Sequence, residues 1–263
     1  EHDEVLQIID DFVQAGVRVW KSGADAVELH CAHGYLLCQF MSAAFNKRDD
    51  QYGGSLENRT RLYFDCIDSV KNSVKNVFVT TRLNACDCFP YPFGFGVDSE
   101  NNIDLSETKI IINQLAEKGI ELINLTLGNP YLIPHINRPC VNSPEDGNVG
   151  LERIYNITKT LKEKFPDIKI VSSGLTFPGE NSVAYAEKLV NENVCDFVGF
   201  GRMTFAYPQF FRDYLEKGEL DKNKVCLKCS KCTELMRSGT VAGCPIRDSE
   251  VYMPYYKKYV LDK

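Results

Sequence analysis

Short apolar runs rich in β-branched residues alternate five times with longer stretches of helical periodicity, and this alternation leaves the chain few architectures. The runs cover residues 25–30, 77–84, 121–127, 168–174 and 196–202, each closed by polar or glycine residues. Helical patterns cover 55–74, 106–118, 150–165, 181–193 and 209–217. An amphipathic segment carrying Val5, Ile8, Ile9, Phe12, Val13 and Val17 precedes them all. Ser106, with Glu107 and Thr108, supplies a helix start, and Lys118-Gly119 a stop. Parallel neighbours need a crossover that a helix supplies, so the pattern predicts an α/β fold with a parallel sheet. An open doubly wound sheet and a (β/α)8 barrel both satisfy it.

The placement of polar residues separates the two. His30 and His33, Arg82, residues 124–129, Ser173 and Gly174, and Gly201 and Arg202 all fall at the C-terminal ends of different runs. A barrel gathers such ends around one mouth, whereas an open sheet spreads them along an edge. The expectation is therefore a barrel. Five units are too few to close eight strands, so it is an incomplete (β/α)8 TIM barrel, about strands 4 to 8, in a chain that begins in mid-fold. Its division is expected to be a barrel part over 1–219 and a C-terminal iron–sulfur segment over 220–263.

That segment reads Cys226-Leu-Lys-Cys229-Ser-Lys-Cys232, then eleven residues, then Cys244-Pro245. Three thiolates two residues apart can fold around one cuboidal cluster while a distant fourth closes the cage. A zinc ribbon ordinarily uses two separated Cys-x-x-Cys pairs, and here one middle cysteine serves two overlapping pairs. The spacing favours a [4Fe–4S] cluster over zinc, and both over disulfides. The other seven of the eleven cysteines are scattered in apolar runs and read as free thiols of a reducing cytoplasm. A net charge of −6, with Lys and Arg scattered among acids, gives no footprint for nucleic acid or an anionic membrane surface. The N-terminal residues 1–4 are no signal sequence and no apolar run is long enough for a bilayer, so a soluble, cytoplasmic protein is expected.

The run Glu28-Leu-His30-Cys31-Ala-His33-Gly34-Tyr35-Leu36-Leu37 puts two imidazoles and a phenol within six residues at a strand exit. Such groups can hydrogen-bond a carbonyl oxygen and deliver a proton to a neighbouring carbon. A strand cap, or a metal held with Cys31 and Cys38, explains the same residues. The run 49–59 combines a Gly53-Gly54 turn with Ser55 as a helix cap, and its plain reading is a loop and helix start.

The His30-x-x-His33-Gly34-Tyr35-Leu36 run, followed by Tyr52-Gly53-Gly54-Ser55-x-x-Asn58-Arg59, resembles the signature of the old yellow enzyme family of flavin-dependent barrel reductases. With the cysteine run, the chain is similar to the iron–sulfur branch that includes 2,4-dienoyl-CoA reductase and trimethylamine dehydrogenase. The resemblance implies an FMN across the barrel mouth and reduction of an activated C=C bond of an α,β-unsaturated carbonyl or enoyl compound. It implies His30 and His33 on the carbonyl oxygen and Tyr35 as proton donor. Arg82 would lie beside the flavin pyrimidine. Ser173, Gly174, Gly201 and Arg202 would hold the FMN phosphate. Asn129 and His135 would line the substrate site, Asn129 standing where the dienoyl reductase has a histidine. Cys226, Cys229, Cys232 and Cys244 would hold the cluster, which relays electrons from an external donor protein unless NAD(P)H reduces the FMN directly. Amine oxidation on the same scaffold calls for an aromatic bowl, and no such cluster is expected near the strand ends. A third alternative is an electron-transfer or metal-binding protein without turnover.

Overall fold

A computed structural model describes residues 2–92 and 94–262. The chain divides into two compact units, Glu1–Asn137 with Thr160–Val171, and Arg138–Lys159 with Ser172–Lys263.

The first unit runs α1 (His2–Lys21), β1 (Ala26–Cys31), α2 (Leu36–Met41), α3 (Leu56–Ser73), β2 (Phe78–Asn84), α4 (Ser106–Glu117), β3 (Leu122–Thr126) and α5 (Pro134–Asn137). β1 pairs parallel to β2, and β2 to β3, which puts His30 level with Arg82 and Arg82 level with Asn124. Side chains alternate across a strand. Leu29, Cys31, Leu83, Ile123 and Leu125 are buried, and so are Leu62, Tyr63, Cys66, Ile67 and Val70 of α3. Each such aliphatic side chain contributes about 1.5–3 kcal/mol when fully buried. The Thr81 hydroxyl lies 2.9 Å from the Leu29 carbonyl and 2.7 Å from the Tyr63 hydroxyl, which pins β2 to β1 and α3 together. Glu28, His30, Arg82, Asn124 and Thr126 belong to the opposite register and carry the polar chemistry.

The run 49–59 is structural. Ser55 caps α3, its hydroxyl accepting from the Asn58 amide. The buried Arg59 donates to the Gly54 and Met41 carbonyls and to Glu107 of α4 at 2.6 Å, so one cation ties the glycine turn, the end of α2 and α4. The plain reading of this run holds.

α6 (Gly147–Lys164) and β4 (Lys169–Ser173) each contribute residues to both units. The second unit continues through α7 (Ser182–Asn191), β5 (Phe197–Gly199), α8 (Arg202–Ala206), α9 (Phe210–Lys217), α10 (Lys231–Arg237) and α11 (Ser249–Tyr256). The strands follow chain order in the sheet, β1-β2-β3-β4-β5. Val183, Met203, Tyr207, Phe210, Leu220, Val225 and Cys226 form an apolar cluster that anchors the start of the cysteine segment.

All five strands and the five longer helical patterns match the sequence reading. The run 196–202 is a correction in detail, because the strand ends at Gly199 and Arg202 opens α8. Gly201 supplies no β-branched side chain and takes right-handed backbone angles, so the ladder stops there. Helices α2, α5, α8 and α10 escape the sequence because each has seven residues or fewer, too short for a 3.6-residue period to show, and α11 escapes it because Pro254 interrupts its eight residues.

Candidate active site

His30 is the penultimate residue of β1, and the chain then turns through His33 and Gly34, both left-handed, at φ 59° and 74°. A Cβ on Gly34 would lie 2.1 Å from Asn129 Nδ2, so only glycine lets this turn approach the buried Asn129. Tyr35 is the N-cap of α2 and half exposed. The three rings gather, His30 to His33 at 5.4 Å between centroids and His30 to Tyr35 at 5.2 Å, edge on. His33 Nε2 and Thr126 Oγ1 share a hydrogen bond of 2.8 Å. The Tyr35 and Tyr131 hydroxyls share one of 2.7 Å. Asn129 Oδ1 accepts from the Tyr131 amide, which fixes the loop that carries this second phenol.

Among the described residues, His30 Nε2 is buried with no hydrogen-bond partner. Burial, and then the Arg82 guanidinium, hold the His30 pKa below its usual 6.5, so the ring is neutral near pH 7. Burial also lowers the Arg82 pKa, against the pull of Glu28, and Arg82 stays charged throughout the physiological range. A neutral imidazole nitrogen, a phenol and a fixed cation thus share one polar face. His135 lies half-buried on α5, in the same unit.

In the second unit, Ser173 closes β4 and Gly174 follows in a left-handed conformation at φ 94°. Gly201 has open space where a Cβ would stand. Arg202 donates through Nη2 to the Pro139 carbonyl at 2.9 Å, while its Nη1 is buried with no hydrogen-bond partner among the described residues. A buried guanidinium nitrogen of this kind fits an anionic group such as a phosphate.

Cys226, Cys229, Cys232 and Cys244 are all free thiols. Two left-handed residues, Lys228 at φ 57° and Ser230 at φ 62°, fold the first three back on themselves. The Lys228 amide donates to Cys226 Sγ at 3.4 Å and the Arg247 amide to Cys244 Sγ at 3.3 Å. Burial raises the pKa of Cys226 and Cys232. Cys226 is raised further by Cys244 and Cys229, and Cys232 by Cys226 and Cys244, so the four sulfurs lie within electrostatic reach of one another. Arg202 opposes the shift at both, and Arg138 feels Arg202, Arg237 and Cys232 together. Three arginines beside a thiol group form a site for negative charge. Among the described residues, no three His, Cys, Asp or Glu side chains converge on a single metal ion.

The model of the NADH:flavin oxidoreductase / NADH oxidase family matches residues 1–221. The chain belongs to this family. It is the family of the old yellow enzymes. Among relatives of this family, an NADH oxidase of Thermoanaerobacter brockii is 32% identical over 230 residues, 87% of this chain and 32% of that protein. The 12-oxophytodienoate reductase 1 of Oryza sativa subsp. japonica is 50% identical over 212 residues, 81% of this chain and 49% of that protein. The structure of a 2-naphthoyl-CoA reductase complex matches with a TM-score of 0.76 at 23% identity, over 97% of this chain and 36% of that one, and shares the fold. The chain spans about a third to a half of the curated relatives it matches. The fold is the α/β barrel of that family, incomplete in this chain.

Sequence reasoning placed Thr126 among the polar strand ends without giving it a role, and it missed Tyr131. Thr126 ends β3, level with Asn84, and only the register reveals that it reaches His33. Tyr131 adds a second phenol near the strand ends, its ring edge-on to Tyr35 at 5.9 Å. Thr126 and Tyr131 lie five positions apart, but each lies more than ninety positions from its partner, so no local pattern announces the contact.

Proposed function

We propose that this chain is the catalytic part of an FMN-dependent reductase of activated C=C bonds in α,β-unsaturated carbonyl or enoyl compounds. The observation that carries the reading is the buried, unpartnered His30 Nε2, its ring 5.2 Å from that of Tyr35. A donor aimed at a developing oxyanion is commonly the largest catalytic contribution. His30 Nε2 donates to the substrate carbonyl oxygen, with His33, oriented by Thr126, beside it. Tyr35 protonates the α-carbon, and Tyr131 holds its hydroxyl in place. Asn129 and His135 bound the substrate space. Hydride transfer to the β-carbon is the chemistry that FMN supplies when bound. Arg82 offers a fixed cation to the flavin ring, and Ser173, Gly174, Gly201 and Arg202 offer donors to its phosphate. Cys226, Cys229, Cys232 and Cys244 would hold a [4Fe–4S] cluster, which would supply one-electron transfer from an external donor protein, with NAD(P)H as the direct alternative. Their spacing, the two amide-to-sulfur bonds and the surrounding arginines support this assignment. The family match ends at residue 221, which supports a barrel part over 1–219 and a cluster segment over 220–263.

The two half-reactions test the reading separately in the protein that carries this chain. Tyr35→Phe is expected to slow alkene reduction about 10²- to 10⁴-fold while flavin reduction by NADH stays near the parent rate. An unchanged alkene rate removes Tyr35 as the proton donor. The Tyr35–Tyr131 pair favours a second reading, oxidation of an amine held against aromatic faces. Amine-driven dye reduction without alkene reduction would select it.

A further inference from the structure

Outside the sites above, the sequence carries a Cys86-Asp87-Cys88 triplet two residues beyond the end of β2. The two sulfurs lie 2.9 Å apart, closer than unbonded sulfur atoms ordinarily approach. Cys88 takes a left-handed backbone at φ 57°, which returns its side chain towards Cys86, and its amide donates to Cys86 Sγ at 3.0 Å. Cys86 is fully buried and Cys88 is partly exposed. The hydrogen bond that the Cys86 thiol makes to Cys88, and then burial, push the Cys86 pKa up, so Cys86 is kept as a thiol while Cys88 meets solvent. That is the division of labour between a resolving and a reacting cysteine.

We propose that Cys86 and Cys88 are a reversible disulfide site, closed by peroxides and reopened by dithiols. The Cys88 thiolate attacks the peroxide, forming an S–O bond as the O–O bond breaks and a proton is taken up, and water leaves from hydrogen peroxide, or an alcohol from an organic peroxide. The Cys86 sulfur then attacks Cys88, forming the S–S bond as the S–O bond breaks, and water leaves with the Cys86 proton. Two thiols lose two electrons and the peroxide gains them. A dithiol reverses the change and is itself oxidised to a disulfide.

The pair is tied to the elements of the active site. Asp87, between the two cysteines, accepts from Asn84 Nδ2 at 2.8 Å and from the Cys38 thiol at 3.7 Å, and Cys38 lies on α2, whose N-cap is Tyr35. The Cys86 carbonyl accepts from the Gly128 amide at 2.7 Å, and the Ala85 amide donates to Thr126. The inference does not depend on the proposed reaction.

The tryptic peptide 83–109 contains these two cysteines and no others, so the C-terminal thiols do not enter the readout. The purified protein is treated with hydrogen peroxide, trapped in acid, alkylated with iodoacetamide and digested. The expected peptide has lost two hydrogens and carries no alkyl group, and dithiothreitol before alkylation restores two alkylated thiols. Cys88→Ser and Cys86→Ser each abolish the mass loss. Two alkylated thiols after a peroxide dose that oxidises free glutathione would overturn the proposal. So would a sulfinic acid on Cys88 beside an alkylated Cys86, or a link from either to another cysteine.

Discussion

The histidine–tyrosine site and the cysteine segment both place reactive groups on turns with left-handed residues, yet they are held in opposite ways. At the first, side chains satisfy side chains: Thr126 meets His33, Tyr131 meets Tyr35, and Asn129 packs on Gly34. Orientation there is set before a ligand arrives. At the second, sulfurs receive backbone amides and face guanidinium charge, and they repel one another as they ionise. The first site depends on accurate aim, the second on what occupies it. Substitutions at the first should therefore give graded losses, and substitutions at the second all-or-none ones.

The sharpest way to break that contrast is Cys232→Ser. Removing one of four thiolates is expected to abolish nearly all iron and sulfide in anaerobically purified protein, measured by metal and sulfide analysis. Zinc without sulfide in the parent would end the cluster assignment. At the first site Thr126→Val keeps the shape and removes the His33 partner. A buried polar atom left unpaired costs about 1–3 kcal/mol, so alkene reduction is expected to fall roughly tenfold. A full loss would show that Thr126 does more than orient the ring. The smallest effect is electrostatic. His30 should titrate below pH 6.5 by NMR, and Arg82→Gln should move its midpoint upward. The sign follows from linkage: as pH falls the unfolded ring takes its proton first, near 6.5, so the native state loses stability from there down to the depressed folded midpoint. A midpoint above 6.5 would contradict the buried, neutral ring.

The sequence by itself determined the alternation of strands and helices, the polar strand ends, the His30–Tyr35 run and the cysteine spacing. Each of these is a local pattern, set by side-chain period, turn chemistry or ligand spacing within a few residues. Helices such as α2 and α10 stayed hidden because six and seven residues make fewer than two helical turns, and tertiary contacts hold them. Only the tertiary structure decided which partners meet. The register of β2 on β3 delivers Thr126 to His33, and the loop after β3 delivers Tyr131 to Tyr35, across more than ninety residues in each case. It also made Arg59 a structural tie, and Cys86 and Cys88 a pair in contact. Period and composition describe which face a residue belongs to. What that face touches is set by packing between distant segments, which no single stretch of sequence encodes.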